Sequence, residues 1–150
     1  MKSAKELFEE GYNCSQAVFC AHCEELGISF ETGLKLSSSF GGGMGRLREV
    51  CGALSGLFML IGLKNGYITP NDDSLKAEHY AKIQEMAGFF EAEFGSILCR
   101  DLLDLKVKKD LPTPTRRDEN FYKTRPCAMF IEFADELFKN NFKNQKAPKS

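Results

Sequence analysis

Gly41-Gly42-Gly43-Met44-Gly45, the charged step Arg46-Leu47-Arg48-Glu49, and Cys51-Gly52-Ala53-Leu54-Ser55-Gly56 with its apolar run to Gly66 decide the fold. A glycine-rich turn feeds a cysteine into a helix whose first turn and a half is built from small residues. Without side-chain bulk at Gly52 and Gly56, other backbones or a bound group can approach Cys51 closely. That arrangement suits a reactive or ligating sulfur better than an inert core cysteine. The spacing predicts a central helix over residues 47–64, with Asn65-Gly66 closing it.

Outward from this helix, period-2 alternation is almost absent and 3.6-residue patterning dominates, which predicts an all-α chain. Ser3 with Glu6 and Asn13 with Gln16 read as capping boxes for helices over 4–10 and 14–26, with Gly27 as the second stop. Ser29 caps a helix through about 39. Residues 74–94 form the longest helix, burying Leu75, Tyr80, Ile83, Met86, Ala87 and Phe90 and stopping at Gly95. Ser96 caps residues 97–105. Residues 106–120, with Pro112 and Pro114, are a loop. Arg125-Pro126 opens a last helix to about 142, and residues 143–150 are expected to fray. The expectation is one compact domain over 1–150, a bundle of six or seven helices around the central one.

At 150 residues such a chain buries roughly 70% of its unfolded surface without staples. The net charge of −1 argues against a nucleic-acid or membrane-surface binder. The run over 50–63 is too short and glycine-rich to span a bilayer. Residues 1–10 are charged and lack an apolar signal core, which predicts a cytoplasmic protein. Six cysteines in a reducing compartment point to metal binding or redox chemistry, set against the plainer reading of buried small hydrophobes.

Four of the six fall in predicted helix N-terminal turns: Cys14 after an Asn cap, Cys51 after the glycine turn, Cys99 past Ser96, and Cys127 after Pro126. Unpaired N–H groups and the positive dipole end favour a thiolate there, while burial opposes it. Cys20-Ala21-His22-Cys23 falls in the C-terminal half of its helix, where a thiolate is disfavoured, and has no second CxxC to make a zinc ribbon. Packing is the preferred reading for Cys20 and Cys23, and for His22 and His79. Gly41, Gly42, Gly43 and Gly45 fit neither a dinucleotide fingerprint nor a P-loop. They are either a tight helix connection or a nest of N–H groups facing an anion or thiolate. Arg46, Arg48 and Arg125 are solvated by default, and would stabilise a sulfur anion if close to one.

The CGAxxG hexapeptide at 51–56, with Tyr12-Asn13-Cys14-Ser15-Gln16-Ala17, the glycine turn, Gly62-Leu63-Lys64-Asn65-Gly66 and single cysteines at 99 and 127, resembles the family of redox-active proteins labelled C_GCAxxG_C_C. (The hexapeptide reads CGAxxG where the label has GCAxxG.) The resemblance implies that Cys14, Cys51, Cys99 and Cys127 are the family's four shared cysteines, with Cys20 and Cys23 outside the pattern. It also implies a redox role or a prosthetic group such as an iron–sulfur cluster. Three readings follow. The four cysteines hold an iron–sulfur cluster or zinc, with the surrounding glycines contacting the group; or they work as thiol–disulfide pairs; or they hold a structural metal in a non-enzymatic scaffold. The first two imply an oxidoreductase component or electron carrier with a redox partner protein. A homodimer is compatible with either. Nothing in the sequence resembles a hydrolytic triad or carboxylate pair.

Overall fold

Ser3 and Asn13 each accept a backbone N–H from three residues on, and Glu6 and Gln16 bond back to the cap N–H groups. These two boxes start α1 (Ala4–Glu9) and α2 (Cys14–Cys20). The computed structural model describes residues 2–105 and 109–143; the expected fraying over 144–150 lies outside the described residues. Helix α2 is shorter than its sequence suggests. Past Cys20 the chain tightens into a turn, with the His22 N–H on the Phe19 carbonyl, and a 3₁₀ turn at Glu24–Leu26 closed by left-handed Gly27. The bend buries His22, whose Nε2 meets Asp135 Oδ1 at 2.5 Å across 113 residues. Helix α3 (Phe30–Ser37), capped by Ser29, follows, and a 3₁₀ turn takes the chain to the glycines.

The largest departure from expectation is here. Gly42, Gly43, Met44, Gly45 and Arg46 all have φ between 60° and 73°, and Arg48 has φ 60°. This is a left-handed turn, so the central helix cannot begin at 47. It begins five residues later as α4 (Gly52–Asn65). A non-glycine residue in this conformation costs about 1–3 kcal/mol, and three of the six carry side chains. Their side chains give two of them strong compensation. Arg46 donates to the Leu111 carbonyl and Thr115, and Arg46 and Arg48 both pair with Asp110. Charge-assisted bonds of about 1.5–3 kcal/mol each suffice to hold the turn. Between turn and helix the chain is extended: Val50 bridges Leu98, the Cys51 N–H bonds to the Ile97 carbonyl, and the Cys99 N–H to that of Glu49.

Helix α4 is apolar on every side, so it has to be enclosed rather than laid on a surface. Ala53, Leu54, Leu57, Leu60 and Ile61 have no exposed area. Helix α2 crosses it where Gly56 leaves room for the Ser15 carbonyl; a β-carbon at 56 would lie 2.8 Å from that oxygen. Next come α5 (Asp73–Phe94), the single turn α6 (Cys99–Leu102), α7 (Glu119–Thr124) and α8 (Cys127–Phe138), which ends in a wider π-type turn at Lys139–Lys143. The protein is all-α, with eight helices and no strand among the described residues. The eighth is α7: part of the expected loop is helical because Asp118 accepts the Phe121 N–H at 3.0 Å. The expected helix over 97–105 shrinks to one turn, since Ser96 Oγ is used by the Leu98 N–H and Asp101. On α5, Met86 and Phe90 are buried, but Leu75 and Tyr80 are exposed. Its first half sets His79 and Tyr80 against the Tyr67 ring instead of the core.

Candidate functional site

Each of the four dispersed cysteines stands where a helix begins. Cys14, Cys99 and Cys127 are the first residues of α2, α6 and α8, and Cys51 is the N-cap of α4. All four line one cavity of about 220 Å³. Gly41, Gly42 and Gly52 also line it, whereas Gly43, Gly45 and Gly56 do not. The close approaches explain the glycines better than ligand contact does. A β-carbon at Gly52 would sit 2.5 Å from Cys14 Sγ, and one at Gly43 would sit 2.7 Å from the Cys99 β-carbon and 2.8 Å from the Arg48 α-carbon. Gly43 thus lets the left-handed turn press Cys99 and Arg48 together, and Gly52 lets α2 deliver Cys14 beside the start of α4.

The rest of the wall is basic and apolar. Arg46, Arg48, Arg117 and Arg125 line the cavity with Phe8, Leu102, Leu103, Phe121 and Phe130. Arg48 is almost fully buried, and its Nη1 donates to Cys99 Sγ at 3.4 Å while Nη2 holds Asp110 at 2.9 Å. Its Nε–H is buried without an acceptor among the described residues. Arg117 closes another side, donating to the Phe8 and Tyr12 carbonyls at 2.7 and 2.8 Å with its guanidinium over the Phe8 ring. Arg117, Phe8 and Phe121 went unnoticed in the sequence because nothing in their spacing ties them to the cysteines. Only the fold brings them in.

Burial decides the protonation of these sulfurs. It raises Cys51 well above the usual thiol range, and neighbouring Cys14 and Cys99 add to the rise while the N–H groups of Ala53 and Leu54 oppose it. Cys127 is pushed up to about 12 by burial and by Cys14 and Cys99, against the pull of Arg125 and Arg117. Cys99 is raised by burial and drawn back by Arg48. The mutual influence among all four shows that they share one electrostatic neighbourhood. Without a metal or another counter-charge Cys51, Cys99 and Cys127 are thiols at neutral pH.

Cys20 and Cys23 lie elsewhere, in the core beneath α3. A β-carbon on Gly33 would be 2.6 Å from Cys23 Sγ and 3.1 Å from Cys20 Sγ. Cys20 Sγ is 4.0 Å from Ser37 Oγ, and Cys23 Sγ is 3.9 Å from the Ser29 carbonyl. Burial raises both thiols, Cys23 to about 12. His22 is held between Glu25 and Asp135, and His79 stacks with Tyr67 and Tyr80.

A family model described as "Putative redox-active protein (C_GCAxxG_C_C)" matches residues 12–140. The chain belongs to this family. The match runs from the residue before the α2 cap into the π-type turn after α8, so it takes in all four cavity cysteines and the helices that begin at them. No curated protein and no solved structure matches the chain. The family is described as redox-active, and no helix among the described residues is long and apolar enough to cross a membrane.

Proposed function

We propose that Cys14, Cys51, Cys99 and Cys127 form a single redox centre as the four ligands of an iron–sulfur cluster, which makes the protein an electron carrier or oxidoreductase component. The observation that carries this reading is the shared cavity: four sulfurs from four separate helix starts face one space. The donor set fits. No carboxylate or imidazole lines the cavity among the described residues, and soft thiolates select zinc, copper(I) or iron–sulfur groups. Zinc would need all four sulfurs at about 2.3 Å from one point. No group of three or more such side chains among the described residues is set to hold a single metal ion, and the cavity the cysteines help to line is about 220 Å³, so a larger group is favoured. The buried, unpartnered Arg48 Nε–H also points to an anionic occupant.

Such a cluster supplies one-electron transfer when bound. The chain's residues do the rest. Arg48, fixed by Asp110, places positive charge on Cys99; Arg125 and Arg117 do so near Cys127; and the start of α4 directs its N–H groups at Cys51. The aromatic and leucine walls keep water out, so those charges act at low dielectric. Thiol–disulfide exchange is the weaker reading. It requires a thiolate nucleophile, and burial holds Cys51, Cys99 and Cys127 protonated.

Anaerobic reconstitution with ferrous iron and sulfide tests the proposal. The expected result is bound iron with equal acid-labile sulfide and a visible charge-transfer band. Zinc uptake without sulfide, or a reversible disulfide among the four by mass spectrometry, would replace this reading with one of its rivals.

A further inference from the structure

A second cavity of about 280 Å³ is lined by Thr115, Arg116, Asp118, Asn120, Phe121 and Arg125. Thr115, Phe121 and Arg125 line the cysteine cavity as well, so the two share a wall. Their characters differ. The sulfur side is mainly apolar, with Phe8, Leu102, Leu103 and Phe130, while the second cavity carries two guanidiniums and polar side chains. The second cavity, at about 280 Å³, comes close to the roughly 300 Å³ at which small-molecule sites begin, and it is the space left when the cysteine cavity is filled.

The arginines divide in the same way. Arg46, Arg48 and Arg117 are committed to carbonyl, hydroxyl, carboxylate or sulfur acceptors within the protein. Arg116 and Arg125 have no hydrogen-bond acceptor among the described residues; Arg125 has the Phe121 ring 5.9 Å from its guanidinium carbon and acts on Cys99 and Cys127 through its charge alone. The one carboxylate lining this cavity, Asp118, spends Oδ1 on the Phe121 N–H as the cap of α7. A half-buried guanidinium at the mouth of an apolar chamber matches a carboxylate, which it can bind through two parallel N–H bonds.

We propose that the second cavity binds a small organic anion, its carboxylate held by Arg125 and Arg116 and its apolar body resting against Phe121, in the wall shared with the cysteine cavity. The assignment of that body to a redox substrate rests on the four-cysteine reading; the binding itself does not. Benzoate is the probe that carries both halves, with inorganic phosphate carrying the charge alone and benzyl alcohol the ring alone. Calorimetric titration of the reduced, iron-free full chain is expected to show saturable benzoate binding, with phosphate and benzyl alcohol weaker by about tenfold or more. Arg125→Gln should weaken benzoate about tenfold, Arg116→Gln less, and Arg125→Lys should keep part of the affinity because it keeps the charge without the fork. Thermal melts of each variant separate lost binding from lost folding. Equal benzoate affinity in Arg125→Gln and wild type, phosphate binding as tight as benzoate, or no saturable binding at all would each overturn the site. Because no iron is present in the titration, failed cluster reconstitution with intact benzoate binding removes the redox-centre reading alone, and the reverse result removes this proposal alone.

Discussion

Two sets of cysteines sit in this protein, and burial raises thiols in both, Cys127 in one and Cys23 in the other to about 12. Acidity therefore does not tell them apart. Space and charge do. Cys14, Cys51, Cys99 and Cys127 face a cavity with four arginines in its wall, whereas Cys20 and Cys23 face the surface of α3, with a serine hydroxyl and a carbonyl as their polar company. A buried thiol next to guanidiniums and room for a ligand can exchange its proton for a metal. One sealed under a glycine has no such exchange available. The same residue type acts as ligand or as filling according to what the neighbouring elements leave beside it.

The largest expected difference is in iron loading. Cys51→Ala should abolish the reconstituted visible band, since it removes one of four ligands from the cavity. The double variant Cys20→Ala/Cys23→Ala should load as wild type does and lose roughly 1–2 kcal/mol of stability per site through lost packing. Iron and sulfide analysis with a denaturant melt checks both. Loss of the band in the double variant would move the centre to the CxxC pair.

Gly56→Leu should be the next largest effect, because it strikes the crossing that holds both sets. Helix α2 carries Cys14 at its start and Cys20 at its end, and the Ser15 carbonyl and Val18 β-carbon lie 2.8 and 3.1 Å from where a β-carbon at 56 would be. Backbone cannot step aside as a side chain can, so the cost is expected near 3 kcal/mol. An unchanged melting curve would show that α2 and α4 do not cross as described.

The sets should also separate in alkali. A thiol whose pKa is raised by folding keeps its proton longer in the native state than in the unfolded one. Above about pH 9 the unfolded chain binds fewer protons, so stability falls with rising pH, up to about pH 12 for Cys23 and Cys127. By pH 10 each contributes a loss of about 1–2 kcal/mol. Denaturant titrations of iron-free protein from pH 7 to 10 should show this slope, and Cys23→Ala should remove part of it. Iron loading should flatten the share due to the cavity thiols, which the metal keeps ionised, and leave the share of Cys23 in place. A slope unaffected by iron would mean that the cavity thiols hold no metal.

Much of this was legible in the residues, and what was missed has physical reasons. Capping boxes are local, so Ser3-Glu6 and Asn13-Gln16 named their helices directly, and Asn13 and Pro126 marked Cys14 and Cys127 as helix starts. The start of α4 was misplaced because Leu47 and Val50 have helical spacing, whereas the left-handed φ at Arg46 and Arg48 is held by tertiary bonds to Asp110, Leu111 and Thr115. Helix α7 was lost in a proline-bearing stretch whose Asp118 cap is weak out of context. Arg48 was flagged only as a general candidate near a sulfur; its sulfur is Cys99, 51 residues away. Long-range pairing of this kind leaves no trace in spacing.

The smallest effect tests the sealed pair alone. Gly33 sits in the middle of α3, and an alanine there gains about 1 kcal/mol of helix propensity. Against that gain, its methyl group would meet Cys23 Sγ at 2.6 Å and Cys20 Sγ at 3.1 Å, which forces the sulfurs or the helix to move. Overpacking of this size costs about 1–3 kcal/mol, so Gly33→Ala should be destabilising by about 1 kcal/mol net. Cys23→Ala removes the nearer sulfur and opens the space that the methyl group needs. The double variant Gly33→Ala/Cys23→Ala is therefore expected to be more stable than the sum of its single changes, with a favourable coupling of about 1 kcal/mol in a double-mutant cycle. Iron loading should be unaffected throughout. Strict additivity would mean that α3 can shift freely over the cysteines, and the pair would then no longer count as sealed.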